Sequence, residues 1–337
     1  MTKPAIMTKP RTVSLGPPTA RAVRRPVATN DGRDRGFALI AVLLVLAVVG
    51  VLGAEFAYSM RLEATSVRTF KETLIATHLA EAAIEQAIRE IAGDVAFVAT
   101  DDDGTLTFYT RDRVALPRLP RTNVPLGGGH FSYRVTDEES RLNLNAATPD
   151  RVERLLQALG VDKIERDKIN DSLQDWRDAN EEHRINGAES EDTYLQLPLP
   201  YRSKNAALDS IGELLQVKGV TSAIFNGVDG KPGLAAYVTV KSPGQVNLNT
   251  APCTVLRALG FGDAECTAVD QARRDGPYTT VPGQFGGRGL GTTTRTFRVD
   301  AEGLVGGEVR ARLTAILQRR ADAANDSIAV LEWSGVR

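Results

Sequence analysis

Phe37-Ala-Leu-Ile-Ala-Val-Leu-Leu-Val-Leu-Ala-Val-Val-Gly-Val-Leu-Gly-Ala54 is an uncharged run of eighteen residues, entered from Arg33-Asp-Arg-Gly36 and left at Glu55. Continued through Phe56-Ala-Tyr-Ser-Met60 as a helix rising about 1.5 Å per residue, it just reaches across a hydrocarbon core of roughly 30 Å. No second run of this kind occurs in the 337 residues, so the chain beyond it is predicted to lie on one side of a membrane. Charge gives the side. Residues 1–36 carry Lys3, Lys9, Arg11, Arg21, Arg24, Arg25, Arg33 and Arg35 against Asp31 and Asp34, a balance of +6, which leaves −7 for residues 37–337 of a chain whose total is −1. Basic flanks stay cytoplasmic, which sends the acidic bulk across. A removable secretory signal is the rival reading, but its apolar region usually spans about 7–15 residues, shorter than this one.

Working outward, residues 1–35 are rich in Pro, Thr, Ala and Arg without apolar periodicity and read as a disordered leader; Met7-Thr-Lys-Pro repeats Met1-Thr-Lys-Pro, so either methionine can be the start. On the other side, Val67, Phe70, Leu74, Ile75, Leu79, Ile84, Ile88 and Ile91 recur at mostly three- and four-residue steps between charged residues, up to a stop at Gly93-Asp94. One helix of more than fifty residues follows, membrane-embedded first and half-buried later. Residues 95–145 then switch to period two, with Leu106–Thr110 and Phe131–Val135 as strands joined by a long Pro- and Gly-rich loop and Asp101-Asp-Asp-Gly104 as a turn. The same period returns at Phe297–Ala301, Val309–Leu317 and Ile328–Trp333, with Gly306-Gly307 as a hairpin turn. The expected class is α+β, a long N-terminal helix packed on an antiparallel sheet.

Between the strand groups lies an internal repeat. Leu142-Asn-Leu-Asn-Ala-Ala-Thr-Pro149 is echoed by Val246-Asn-Leu-Asn-Thr-Ala-Pro252, and each leads into a proline-started helix. The second copy runs on through Gly260-Phe-Gly262 and is similar to the helix-hairpin-helix units of competence DNA receptors, which hold a phosphate on backbone N–H groups. That likeness opens an alternative function, a membrane-anchored DNA receptor of a competence or type IV pilus-like system. Charge argues against it: Asp263, Glu265 and Asp270 crowd the turn where phosphate binding needs Lys or Arg. A further short helix is expected over Ile211–Gln216.

Residues 171–192 hold eight acids against Arg177 and Arg184. Asp178, Asn180, Glu182 and Glu189 fall on positions 1, 3, 5 and 12 of an EF-hand loop, but His183 replaces the glycine at position 6. Oxygen-only ligands favour a hard ion such as calcium; a solvated acidic loop is the alternative. Cys253 and Cys266 both lie in the second repeat and can pair in an oxidising compartment or remain free thiols. No Gly-x-x-x-x-Gly-Lys-Ser/Thr, His-Glu-x-x-His or Gly-x-Ser-x-Gly occurs, and no sequence signature of an enzyme is found.

The junction Arg35-Gly36-Phe37 with its apolar helix resembles the leader of type IV pilins and pseudopilins. The resemblance implies cleavage between Gly36 and Phe37 by the prepilin peptidase and methylation of the new N-terminus. Such chains normally carry Glu five residues into the mature helix; Ala41 stands there, as in the minor pseudopilin K family of type II secretion systems. A buried acid in a membrane persists only with a partner, and a subunit at the tip has none ahead of it. The acidic segment, with Asp175-Trp-Arg-Asp178, Gly187-Ala-Glu189 and Asp192-Thr-Tyr194, looks like that family's calcium loop. The resemblance thereby implies calcium on oxygens drawn from Asp175, Asp178, Asn180, Glu182, Glu189 and Asp192. It implies a leader over 1–36, a membrane segment over 37–60, and spine and first strands over 61–141. An inserted, mostly α-helical domain with helix-hairpin-helix-like repeats would occupy 142–290 and the last strands 291–337. The implied setting is the inner membrane, crossed once, with the C-terminal domain in the periplasm. The implied partners are minor pseudopilins I and J at the tip of the secretion pseudopilus, with DNA an unlikely ligand.

Overall fold

A computed structural model describes residues 32–322 and 325–335. The leader reading at residues 1–31, including the choice between Met1 and Met7, lies outside the described residues. Helix α1 spans Gly32–Ile91, 60 residues. It begins five residues before Phe37, so the last residues of the expected disordered leader are helical: nothing in Gly32–Gly36 breaks a helix that the apolar run propagates. From Gly36 to Ile91 it is the one helix among the described residues long and apolar enough to cross a membrane.

The described residues fall into two compact units, divided between Ser66 and Val67. In the second, β1 (Phe97–Thr100) and β2 (Leu106–Tyr109) form a hairpin around Gly104, whose φ of +71° suits glycine. The main sheet holds β3 (Val124–Leu126), β4 (Gly129–Asp137), β5 (Thr296–Val305), β6 (Glu308–Asp322) and β7 (Asn325–Ser334) in the antiparallel order β7-β6-β5-β4-β3. Gly306 and Gly307, both at positive φ, close the two-residue turn from β5 to β6. The expected long loop before β4 contains β3 as a short edge strand, a position where Pro125 removes no interior hydrogen bond.

Leu79, Ala80, Ala83, Ile84, Ala87 and Ile91 of α1 pack with Phe131, Tyr133, Val135, Phe297, Val299 and Leu313 as one core. The expected apolar stripe starts too early. Val67, Phe70 and Leu74 are exposed, because sheet cover begins at Ala76, whose backbone faces Gly303. A second core is drawn entirely from residues between Leu142 and Leu290, so the segment between the strand groups is a body with its own interior. It contains α2 (Pro149–Ala158), α3 (Lys163–Arg177), α4 (Ser222–Asn226), α5 (Cys253–Ala258) and α6 (Asp263–Arg274), and Ile211–Gln216 is a 3-10 rather than an α-helix.

Candidate functional site

The two Asn-Leu-Asn segments fold alike. Asn143 and Asn247 each turn the chain, their Oδ1 atoms accepting the N–H of Asn145 (2.8 Å) and Asn249 (3.0 Å). The second asparagine of each copy clamps a distant loop. Asn145 exchanges two hydrogen bonds with the Leu208 backbone, and Asn249 binds Tyr278 through both amide atoms and donates to Thr292 O as well. Each clamp leads into a helix pair, α2–α3 or α5–α6, turned at a positive-φ glycine, Gly160 or Gly260. The closing bonds match: Val161 N–H to Leu156 O and Phe261 N–H to Leu256 O, each 3.1 Å. The first helices of the two pairs, α2 and α5, pack on each other, and Arg154 Nε donates to Ala258 O across them.

In the second pair the place a phosphate would take is filled from within. Gly262 N–H donates to Glu265 Oε2 at 2.9 Å, and Arg288 binds the same carboxylate while its guanidinium lies 4.5 Å above the Phe261 ring. Hydrogen bonding from Arg288 holds Glu265 below the usual carboxylate range, so it stays an anion on that turn. The fixed carboxylate repels a nucleic-acid backbone. Cys253, in the first turn of α5, and Cys266, in α6, are joined as a disulfide with Cα atoms 5.6 Å apart.

The acidic loop is arranged around Asp175. This buried carboxylate at the end of α3 accepts N–H groups from Arg184 and Ala188 and the Arg184 guanidinium at 2.5 Å, and that guanidinium also meets Asp178 Oδ2 at 2.7 Å. Gly187 is required here, because a Cβ would stand 1.8 Å from Asp175 Oδ2. Glu189 is also buried; its Oε2 accepts Ser203 Oγ at 2.7 Å and its Oε1 has no hydrogen-bond partner. Burial pushes its carboxyl up despite the Ser203 bond. Asp192 accepts Glu189 N–H and pairs with His183; Asn180 Oδ1 accepts Glu182 N–H, and the exposed Glu182 carboxylate makes no hydrogen bond or ion pair among the described residues. The EF-hand spacing thus does not bring its members to one point, and no three His, Cys, Asp or Glu side chains among the described residues are grouped to hold an ion. The donor chemistry suits a hard cation, because the donors are all oxygen and one buried carboxylate oxygen is orphaned, while Arg184 already balances two of the acids.

Sequence reasoning missed the junction between the two cores. Asp137, the last residue of β4, and Glu138 and Glu139 in the 3-10 turn after it are all buried. Asp137 accepts Asn247 Nδ2 (2.7 Å), Thr250 Oγ1 (2.6 Å) and Thr294 Oγ1 (2.6 Å), tying the sheet to the second repeat. Glu138 accepts Thr239 Oγ1 and the guanidinium groups of Arg141 and Arg298. Burial pushes Glu138 up, but Arg298 and Arg141 outweigh it and hold the carboxyl below its usual range. Glu139 Oε1 accepts the N–H groups of Arg295 and Thr296 with no cation attached, and burial pushes it up to about 7. Three acids in a row before a turn read as solvated surface; the only signal was their place between a strand and the first repeat.

Glu139 has a consequence for pH dependence. Its folded-state value lies above the ordinary 4.5, so its contribution to stability is fully present below about 4.5 and is lost as pH rises through about 7. Glu139→Gln keeps the acceptor oxygen without the charge. In paired denaturation series at pH 5 and pH 8, the variant is expected to gain on the parent at pH 8 and not at pH 5; an equal difference at both values would refute this.

The family model for "Type II secretion system (T2SS), protein K" matches residues 135–237, from this acid junction through the first helix pair and the acidic loop. Over these residues the chain is similar to the protein K family of type II secretion systems. The type II secretion system protein K of Pseudomonas aeruginosa is 29% identical over 319 residues, covering 86% of this chain and 90% of the relative. That of Pectobacterium carotovorum is 29% identical over 218 residues, 57% of this chain and 60% of the relative. In the crystal structure of the GspK-GspI-GspJ complex from enterotoxigenic Escherichia coli, a chain 16% identical superposes with a TM-score of 0.60, covering 82% of this chain and 99% of its own length. That likeness is one of fold. It places the long helix, antiparallel sheet and helical insertion of this chain in a known architecture.

Proposed function

We propose that this chain is the minor pseudopilin that caps a type II secretion pseudopilus, starting its assembly with minor pseudopilins I and J and so helping folded proteins across the outer membrane. The observation that carries the reading is the pairing of an uncharged helix start, Ala41 within Phe37–Ala54, with an insertion that has its own core. The first leaves no charge for a subunit ahead to meet, and the second adds bulk that a subunit packed mid-filament would have to accommodate. The neighbouring solved structure, a GspK-GspI-GspJ complex, supports the choice of partners. Gly36 and Phe37 are both exposed on α1, as cleavage by a prepilin peptidase there requires. The setting is a single crossing of the inner membrane with the remainder in the periplasm. There it acts as a filament component, not an enzyme. Co-expression with pseudopilins I and J of the same genome should yield a detergent-stable ternary complex with one copy of this chain. Recovery of this chain distributed along filaments would overturn the reading.

The acidic loop belongs to the same proposal: calcium held by oxygens among Asp175, Asp178, Asn180, Glu182, Glu189 and Asp192, neutralising charges that otherwise repel. An ion bound only by the native state stabilises it by about 2.7 kcal/mol at a hundredfold excess over Kd. Thermal melting of the full chain in detergent with calcium should therefore drop clearly on adding chelator, and an unchanged midpoint would remove calcium from the account.

A further inference from the structure

A cleft of about 480 Å³ opens just past the end of α1, lined by Asp94, Val95, Ala96, Arg111, Thr293, Thr294, Arg295 and Arg319. Three guanidinium groups from three separate segments thus share one cleft with one carboxylate. Two are held as neighbours: Arg319 N–H donates to Arg295 O at 2.7 Å across the β5–β6 ladder, and Arg319 Nη1 donates to Val95 O at 2.8 Å. Among the described residues, the exposed side chains of Arg111 and Arg295 make no hydrogen bond or ion pair. Thr294 Oγ1 is committed to Asp137, while the exposed Thr293 hydroxyl has no such bond. Arg111 and Arg295 therefore offer positive charge in planar, multiply donating form, with a hydroxyl beside Arg295. Guanidinium forks of this kind match tetrahedral oxyanions in two-point contacts.

We propose that this cleft binds a phosphate-type oxyanion, either the free ion or a phosphomonoester group, between Arg111 and Arg295. Neither the family resemblance nor the filament role calls for such a site. The cleft lies next to the acid junction, since Arg295 N–H is held by Glu139 and Thr294 by Asp137. An anion seated there would meet the two exposed guanidinium groups beside the joint between the two cores.

The test uses the full chain in detergent micelles, titrated with sodium phosphate or glycerol phosphate against sodium chloride at equal ionic strength. Calorimetry and thermal melting are the readouts. Saturable binding and a raised midpoint with phosphate, absent with chloride, are expected. Arg111→Gln/Arg295→Gln should weaken binding by about tenfold or more for each guanidinium removed. Both side chains are exposed, so the double variant should melt like the parent without phosphate; if it does not, Arg111→Gln alone carries the comparison. Binding of phosphate alone assigns the free ion, and comparable binding of glycerol phosphate assigns a monoester; both uphold the site. No response beyond chloride, or a response that survives the substitutions, overturns it.

Discussion

Gly303→Ala is expected to cost about 3 kcal/mol or more of stability, at the upper end of what forced overpacking does to a core. A Cβ at this position would lie 1.8 Å from the Ala76 carbonyl oxygen, 2.6 Å from its carbon and 2.9 Å from its Cα. All three atoms are backbone, so no side chain can rotate away. Helix α1 would have to lift from the sheet, and it would do so where the register of β5 with β6 already shifts between Gly303 and Leu304. Ala76, Ala80, Ala83 and Ala87, all fully buried, show how closely the helix is meant to sit. Gly129 works in the same way, since a Cβ there would stand 2.4 Å from Leu304 O and 2.6 Å from Leu79 Cδ1. Gly128→Ala is the control, because nothing lies within 4 Å of its Cβ. Urea denaturation of the two variants beside the parent checks the claim; equal midpoints for Gly303→Ala and Gly128→Ala would contradict it.

Arg121→Met is expected to destabilise by about 3–5 kcal/mol, the range for stranding one member of a buried ion pair. Arg121 Nε meets Glu90 Oε2 at 2.8 Å, and Nη1 holds Thr105 Oγ1 and Leu106 O, each at 2.8 Å. Glu90, near the end of α1, also accepts Leu119 N–H (2.9 Å) and the Tyr133 hydroxyl (3.0 Å). Burial pushes that phenol up to about 12, so it remains a donor at all ordinary pH values. Only about 8% of Glu90 and 7% of Arg121 is exposed, so losing the guanidinium leaves a carboxylate without water to replace it. The loss belongs to the orphaned charge more than to the pair. Glu90→Gln/Arg121→Met should therefore recover a large part of it, and a double variant as weak as the single one would show that packing, not charge, is decisive.

Much of the architecture was legible because it rests on local patterning. The apolar run from Phe37 to Ala54 fixes one long helix, alternation fixes β4, β5 and β6, and the duplicated Asn-Leu-Asn marks two helix pairs. Patterning failed where a residue's surroundings come from elsewhere in the chain. Val67, Phe70 and Leu74 have the right period for burial and remain exposed, since how far a sheet extends along a helix is not encoded in the helix. The seam instead belongs to alanines, which hydropathy ranks low but whose size lets backbones approach. The acidic loop shows the same limit: an EF-hand spacing in Asp178, Asn180, Glu182 and Glu189 says nothing of Arg184 standing between Asp175 and Asp178.

By itself the sequence determined the membrane-length helix, the strand groups before and after the insertion, and the two repeats, because period and run length are properties of consecutive residues. Only the tertiary structure decided that Asp137, Glu138 and Glu139 are an internal knot between two cores, that Glu265 fills the turn a phosphate could have used, and that Arg111, Arg295 and Arg319 share one cleft. Whether a charge is buried, paired or crowded depends on partners such as Thr294 and Arg298, more than 150 positions away, and folding alone brings them together.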